Sequence, residues 1–291
     1  MIFLKKTELL LFHVRSYLSF NKMVIDFHTH IFPDKIAEKT ISYLSAKGGI
    51  PPFAEGTDKS LISKKEEAGV DISVTLPVVT SPQQFESINR FAIGINEAYK
   101  DKDVSLISFG GIHPLCEDIE GKMKFLKDSG FKGVKIHPDY QGEFITHEGY
   151  VKILECAKEL DLIVVTHAGV DCGFLGEPVK CTPTLAKELI KKVPYSKFVL
   201  AHLGANEMVN EVLDILAGED VYFDTAYVLR TTDEKTFKEI IKRHGSDKIL
   251  FASDSPWSDI KTDVEIIKSY NLDTETEEKI LFKNAQALLS I

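Results

Sequence analysis

Cysteine is scarce in this chain and forms no pattern: Cys116, Cys156, Cys172 and Cys181 make no CxxC pair and no dense framework. No disulfide scaffold is therefore expected, and reduced thiols in a cytoplasmic protein are the simplest account. Positive charge is also in short supply. Lys and Arg number 35 against 44 Asp and Glu, a formal net charge of −9, which argues against nucleic acid or an anionic membrane as the main partner. No GxGxxG follows the first strand-like run, so a dinucleotide-binding reading fails. No linker, low-complexity tract or shift in composition divides the chain.

Residues 1–22, MIFLKKTELLLFHVRSYLSFNK, are basic and partly apolar, but His13 and Arg15 break the apolar stretch. The segment lacks a small-residue cleavage site and is too short and charged to span a bilayer. Met23 stands immediately before the first strand-like run. We expect translation to begin there naturally, residues 1–22 to be an extension outside the fold, and residues 23–291 to form one domain.

From residue 23 onward, short β-type runs alternate with longer helix-type stretches. The runs are MVIDFHTH (23–30), DISVTLPVV (71–79), VSLISFGGIHP (104–114), GVKIHP (133–138), LIVVTHAG (162–169), FVLAHLG (198–204), VYFDTA (221–226) and ILFASDSPW (249–257). Most are nearly continuous in Val, Ile, Leu and Phe, as in strands buried on both faces of a parallel sheet. Residues 87–102 and 147–161 carry apolar residues at helical spacing between them. Residues 182–193 open with Thr182 as an N-cap and Pro183 at the first helical position. Residues 231–245 start acidic and end basic, which suits a helix dipole. Eight such alternations predict an α/β fold, a (β/α)8 TIM barrel, rather than an open doubly wound sheet.

In such a barrel the active site forms where strands end. His28, His30, His113, His137, His167 and His202 all fall at those ends, six of the nine histidines, together with Asp224 and Asp254. If residues 23–30 form a strand, His28 and His30 share a face and both rings can reach one metal ion. Asp254 closes a wholly apolar strand, where a carboxylate needs a cation or several donors; a helix N-cap is the alternative. His113 and His137 each precede a proline, which can simply mark a strand end. Lys135 shares a strand face with His137 and can be a carbamylated bridge between two metals, a substrate contact or a snorkelling lysine. Asp224 is expected to orient a neighbour, and Asp26 to lie deeper on the histidine face. Arg230 can clamp a substrate carboxylate or be an exposed helix-start arginine.

Together these residues resemble the amidohydrolase superfamily, in its amidohydrolase 2 branch, which includes aminocarboxymuconate semialdehyde decarboxylase, related aromatic-acid decarboxylases and lactonases. The resemblance covers nearly all of 23–291 and rests on IDFHTHIFP, GVKIHP, THAG, AHLG, ASDSPW and the closing KILFKNAQALL. It implies one divalent metal per chain, usually zinc, held by His28, His30, His167 and Asp254, with His202 acting on the attacking water. Asp254 would also carry the proton to the leaving group. His137, Lys135 and Arg230 are the candidate substrate contacts. The expected activity is hydrolysis of an amide, lactone or ester in a small, carboxylated molecule. Non-oxidative decarboxylation of an aromatic or unsaturated acid is the alternative, and a metal-binding barrel without turnover the remote one. A small-molecule substrate is the expected partner, and a homodimer is compatible with the sequence.

Overall fold

The computed structural model describes residues 23–100 and 105–291. The expected extension over residues 1–22 lies outside the described residues.

The strands are β1 (Ile25–Thr29), β2 (Ile72–Thr75), β3 (Ser105–Ser108), β4 (Gly110–Gly111), β5 (Gly133–Ile136), β6 (Ile163–Thr166), β7 (Phe198–Leu200), β8 (Tyr222–Asp224) and β9 (Ile249–Leu250). Each falls inside one of the eight apolar runs, and all neighbours pair in parallel, in the orders β1-β2-β3 and β4-β5-β6-β7-β8-β9. β3 and β4 are one stave interrupted at Phe109, whose N–H donates to the Thr75 carbonyl at 2.9 Å. The ring closes between the last stave and the first. Phe27 N–H donates to Phe251 O at 2.9 Å, Asp254 N–H donates to His28 O at 2.8 Å, and Thr29 pairs with Ser255. The molecule is a (β/α)8 barrel.

Burial on both faces explains the apolar runs. Inside the ring, Ile25, Phe27, Val74, Phe109, Val165 and Leu250 pack as one cluster. Val134, Ile136 and Val164, on the outer face, pack against the helices. The helix 183–192 begins as its sequence predicts, with Thr182 Oγ1 accepting from Leu185 N–H and Pro183 at the first position. Asp233 caps the helix Glu234–His244 in the same way. Among the described residues no helix is long and apolar enough to cross a membrane.

Strand β1 is irregular. Its register to β2 shifts between Asp26 and Thr29, a bulge that inserts an extra residue and breaks the strict alternation of faces. Phe27 joins the inner cluster, and yet His28 also lines the cavity at the barrel mouth. Asp26 does not follow the expected pattern. Its carboxylate accepts from the Ser253 hydroxyl at 2.6 Å and the Ser253 N–H at 2.9 Å, and contacts neither histidine ring.

Gly169, which follows the β6 stave, sits at φ +85° and pairs with Asn206; an added Cβ would lie 2.1 Å from the Asn206 nitrogen. Gly130 has the same φ, with nothing within 4 Å of such a Cβ. Gly130→Ala is expected to cost about 1 kcal/mol from the left-handed backbone alone. Gly169→Ala should cost roughly 3 kcal/mol or more, because two backbones must separate. Urea unfolding of the two variants measures the difference.

Candidate active site

The staves end around a cavity of about 760 Å³ lined by His28, His30, Lys135, His137, His167, His202 and Asp254. Two of these leave their strands in the left-handed region: His202 at φ +61° and Asp254 at φ +70°. Such a conformation costs a non-glycine residue on the order of 1 kcal/mol or more and persists only where neighbours fix it. Here they do. His202 N–H donates to Asp224 Oδ1 at 3.0 Å, and Asp254 N–H is held by His28 O. Asp254 is no helix N-cap, since the following helix begins at Ile260 with Asp259 as its cap.

Hydrogen bonds fix the tautomers of three histidines. His28 Nδ1 donates to Asp224 Oδ2 at 2.9 Å, His30 Nδ1 to Leu76 O at 2.8 Å and His202 Nδ1 to Ala226 O at 2.9 Å. Each therefore carries its lone pair on Nε2. The His28 and His30 Nε2 atoms stand 3.2 Å apart, and Asp254 Oδ1 lies 3.5 Å from the first and 3.1 Å from the second. Two imidazole nitrogens and a carboxylate oxygen facing one another repel unless a cation lies among them, and the Lys135 ammonium reaches only the His28 nitrogen. The donor set fits a divalent ion with nitrogen and oxygen ligands.

Electrostatics agrees with that reading. Burial drives His28 and His167 well below the ordinary histidine range, and for His28 the Lys135 charge adds to it. Burial takes His137 down to about 4 against the pull of Asp171. These rings are neutral at pH 7, the state in which imidazole binds metal. Burial pushes the Asp254 carboxyl up, yet beside the facing imidazole edges the group lies below its usual range and is ionised at pH 7. Lys135, 1 % exposed, is lowered to about 8 by burial, and its Nζ donates to His28 Nε2 at 3.1 Å.

His167 belongs to a neighbouring group rather than to the first three. Its Nδ1 lies 2.9 Å from His202 Nε2, and its buried Nε2 has no partner, 3.9 Å from the equally unpartnered Asp139 Oδ2. With His137 and Asp171 it forms a second cluster of potential ligands. The His137 and His167 rings, however, stack 4.3 Å apart at only 4°. Their lone pairs lie in separate parallel planes and cannot both aim at one point, whereas the His28 and His30 planes meet at 69°.

The remaining expectations separate clearly. Asp224 orients His28 and also accepts from the His202 and Ala226 N–H groups. His113 Nδ1 accepts from Leu115 N–H in a turn, and the residue does not line the cavity. Arg230 as a substrate clamp is corrected: it is absent from the lining, its guanidinium lies 4.3 Å over the Phe53 ring and its Nε is 3.6 Å from buried Asp263. The sequence points to the segments 32–56 and 169–183 as specificity loops but not to Lys47 and Asp171 within them, which line the cavity from a helix end and a loop. Residues 139–141 are expected from sequence to be a specificity segment, but Gln141 acts as a brace. The Gln141 Oε1 accepts from His137 N–H at 3.0 Å, and its Nε2 donates to Val79 O and Ile112 O. Locally these look like any loop aspartate, surface lysine or turn glutamine.

Asp224→Asn removes the charge that holds His28 in its ligating tautomer. The expected result is a roughly 10–100-fold loss of divalent-metal affinity with the fold retained, measured by competition with a chelating dye.

The comparisons with known proteins fit this architecture. A family model described as amidohydrolase matches residues 25–291. No curated protein matches the chain. Among solved structures, a 5-carboxyvanillate decarboxylase from Novosphingobium aromaticivorans, complexed with manganese and 4-hydroxy-3-methoxy-5-nitrobenzoic acid, superposes with TM-score 0.68 at 14% identity, covering 92% of this chain and 96% of that one. A 2,6-dihydroxybenzoate decarboxylase from Rhizobium gives 0.66 at 14%, covering 92% and 99%. An uncharacterised TIM-barrel protein from Bordetella bronchiseptica gives 0.70 at 14%, covering 92% and 98%. At such identities the likeness concerns the fold, whereas the family model spans nearly the whole described chain: the protein belongs to the amidohydrolase family.

Proposed function

We propose that the protein is a metal-dependent carboxy-lyase acting on a small aromatic or unsaturated acid. The observation that carries this reading is the convergence of His28 Nε2, His30 Nε2 and Asp254 Oδ1 at one end of a largely apolar, aromatic-walled cavity. Two of the solved structures of like fold are decarboxylases of hydroxylated benzoates, one of them with manganese. These relatives weigh towards decarboxylation, where the sequence alone put hydrolysis first. A divalent ion held by His28, His30 and Asp254 would bind a substrate oxygen and draw off the charge that develops as carbon dioxide leaves, and His167 would join as fourth ligand only by turning its ring from His202. Zinc and manganese both suit this mixed nitrogen and oxygen set.

The chain's own groups divide the work. Asp254, ionised at neutral pH, can accept a proton from the substrate and return it to the carbon that loses carbon dioxide. His202, anchored through Nδ1–H to Ala226 O and meeting His167 Nδ1 through Nε2, lines the cavity and helps fix the substrate's orientation. Tyr140, Phe174 and Trp257 supply apolar walls that exclude water.

Hydrolysis of a lactone or amide is the second reading, and one observation favours it. Lys135 Nζ stands 3.1 Å from His28 Nε2, and His202 Nε2 faces His167 Nδ1 at 2.9 Å. Carbamylated at Nζ by carbon dioxide, with loss of a proton, Lys135 would offer carboxylate oxygens to a second cation on the side of His167 and His202. In this reading Asp254 takes the proton of the attacking water and His202 steers it.

The test is a panel of hydroxybenzoates and unsaturated acids against lactones and amides, run with manganese- and zinc-loaded protein. Carbon dioxide release from an acid, lost about 100-fold or more in Asp254→Asn, is expected. Turnover of lactones or amides alone would overturn decarboxylation in favour of hydrolysis.

A further inference from the structure

With Arg230 turned away, the cavity has few cations to offer. Among the described residues lining it, Lys47 is the one cationic side chain besides Lys135, and Lys135 stands beside His28 at the metal end of the cavity, not at its far wall. Lys47 stands in the last turn of the helix Asp34–Gly48. Its ammonium lies 3.4 Å from the Phe174 ring centroid and 4.8 Å from that of Tyr140. Phe174 and Tyr140 meet edge to face at 4.9 Å, and Tyr140 meets His137 edge to face at 4.8 Å. A path of rings therefore leads from the histidine cluster to Lys47, and Nζ lies within two 4.8 Å steps of the His137 ring.

Aromatic faces hold a cation in place without neutralising it. No carboxylate among the described residues forms an ion pair with Lys47, and the acidic group in this part of the cavity, Asp171, is committed elsewhere. Its Oδ2 lies 3.3 Å from His137 Nε2, and its Oδ1 accepts from Gly173 N–H at 2.7 Å. The Lys47 Nζ thus lies at an apolar wall, over two aromatic rings and without a carboxylate partner among the described residues. A cavity of about 760 Å³ also exceeds what a metal-bound carboxylate and a single ring would fill.

We propose that Lys47 is a specificity-determining residue that anchors a second anionic group, a carboxylate, at the end of the substrate remote from His28 and His30. This rests on the acid-binding reading of the site and narrows its substrate to a dicarboxylic acid built on a planar, apolar frame. Binding needs no covalent step: the Lys47 ammonium donates to the distal carboxylate while the planar frame lies along Tyr140 and Phe174.

The experiment is calorimetric titration of the manganese-loaded full chain with benzoate and with terephthalate, whose carboxylates sit at opposite ends of one ring. Terephthalate is expected to bind roughly tenfold tighter than benzoate, with the preference falling to about twofold or less in Lys47→Met and returning in Lys47→Arg. Lys47→Met keeps the apolar stem, so a purely packing role would weaken both ligands equally and leave the preference intact; that result overturns the proposal. Benzoate binding with no preference for terephthalate in the unsubstituted protein also overturns it, while leaving the acid-binding reading standing. If neither acid binds, the acid-binding reading fails and the proposal falls with it.

Discussion

Everything at the mouth of this barrel depends on one unfavourable arrangement. The His28 and His30 Nε2 atoms stand 3.2 Å apart with the Asp254 carboxylate alongside. The protein invests much structure in keeping them there. Asp224 and the Leu76 carbonyl fix the two imidazole tautomers, and the bulge in β1 turns His28 inward. Closure of the ring between the first and last staves brings Asp254 beside them through a backbone bond to His28 itself. The Lys135 ammonium, 3.1 Å from His28 Nε2, offsets part of that repulsion, and the three donor atoms have the make-up of a cation socket.

The same logic orders the residues around that socket. Asp224 is buried, and burial raises its carboxyl above the usual range even though His202 and Lys135 pull it down. It is kept because it serves two histidines at once, through the His28 ring and the His202 backbone. His202 and Asp254 both occupy backbone conformations that L-residues avoid. Local strain is thus concentrated where chemistry is expected, and the hydrogen-bonded staves beneath supply the rigidity that holds it.

The barrel was legible in the sequence because strands buried on both faces have to be apolar along their whole length. That constraint wrote eight countable runs, and the ends of those runs named His28, His30, His167, His202 and Asp254. The irregularities were not legible. Strict alternation would set Asp26 and His28 on one face, but the register shift in β1 separates them, and nothing in IDFHT marks it. Arg230 follows its stave as a clamp should, yet Phe53 and Asp263, distant in sequence, draw it away. Asp171 and Lys47 reach the cavity only through the packing of a loop against a helix end, and local pattern carries no trace of that. Pattern reports the periodic constraints of a fold; the walls of a pocket are set by contacts between segments.

The central claim is that His28, His30 and Asp254 hold a catalytic cation, and elemental mass spectrometry of the purified protein beside His28→Ala tests it most directly. The account predicts at least about one divalent ion per chain, lost in the variant while the fold is kept. A protein that holds no stoichiometric metal, even after reconstitution with zinc or manganese, would contradict it.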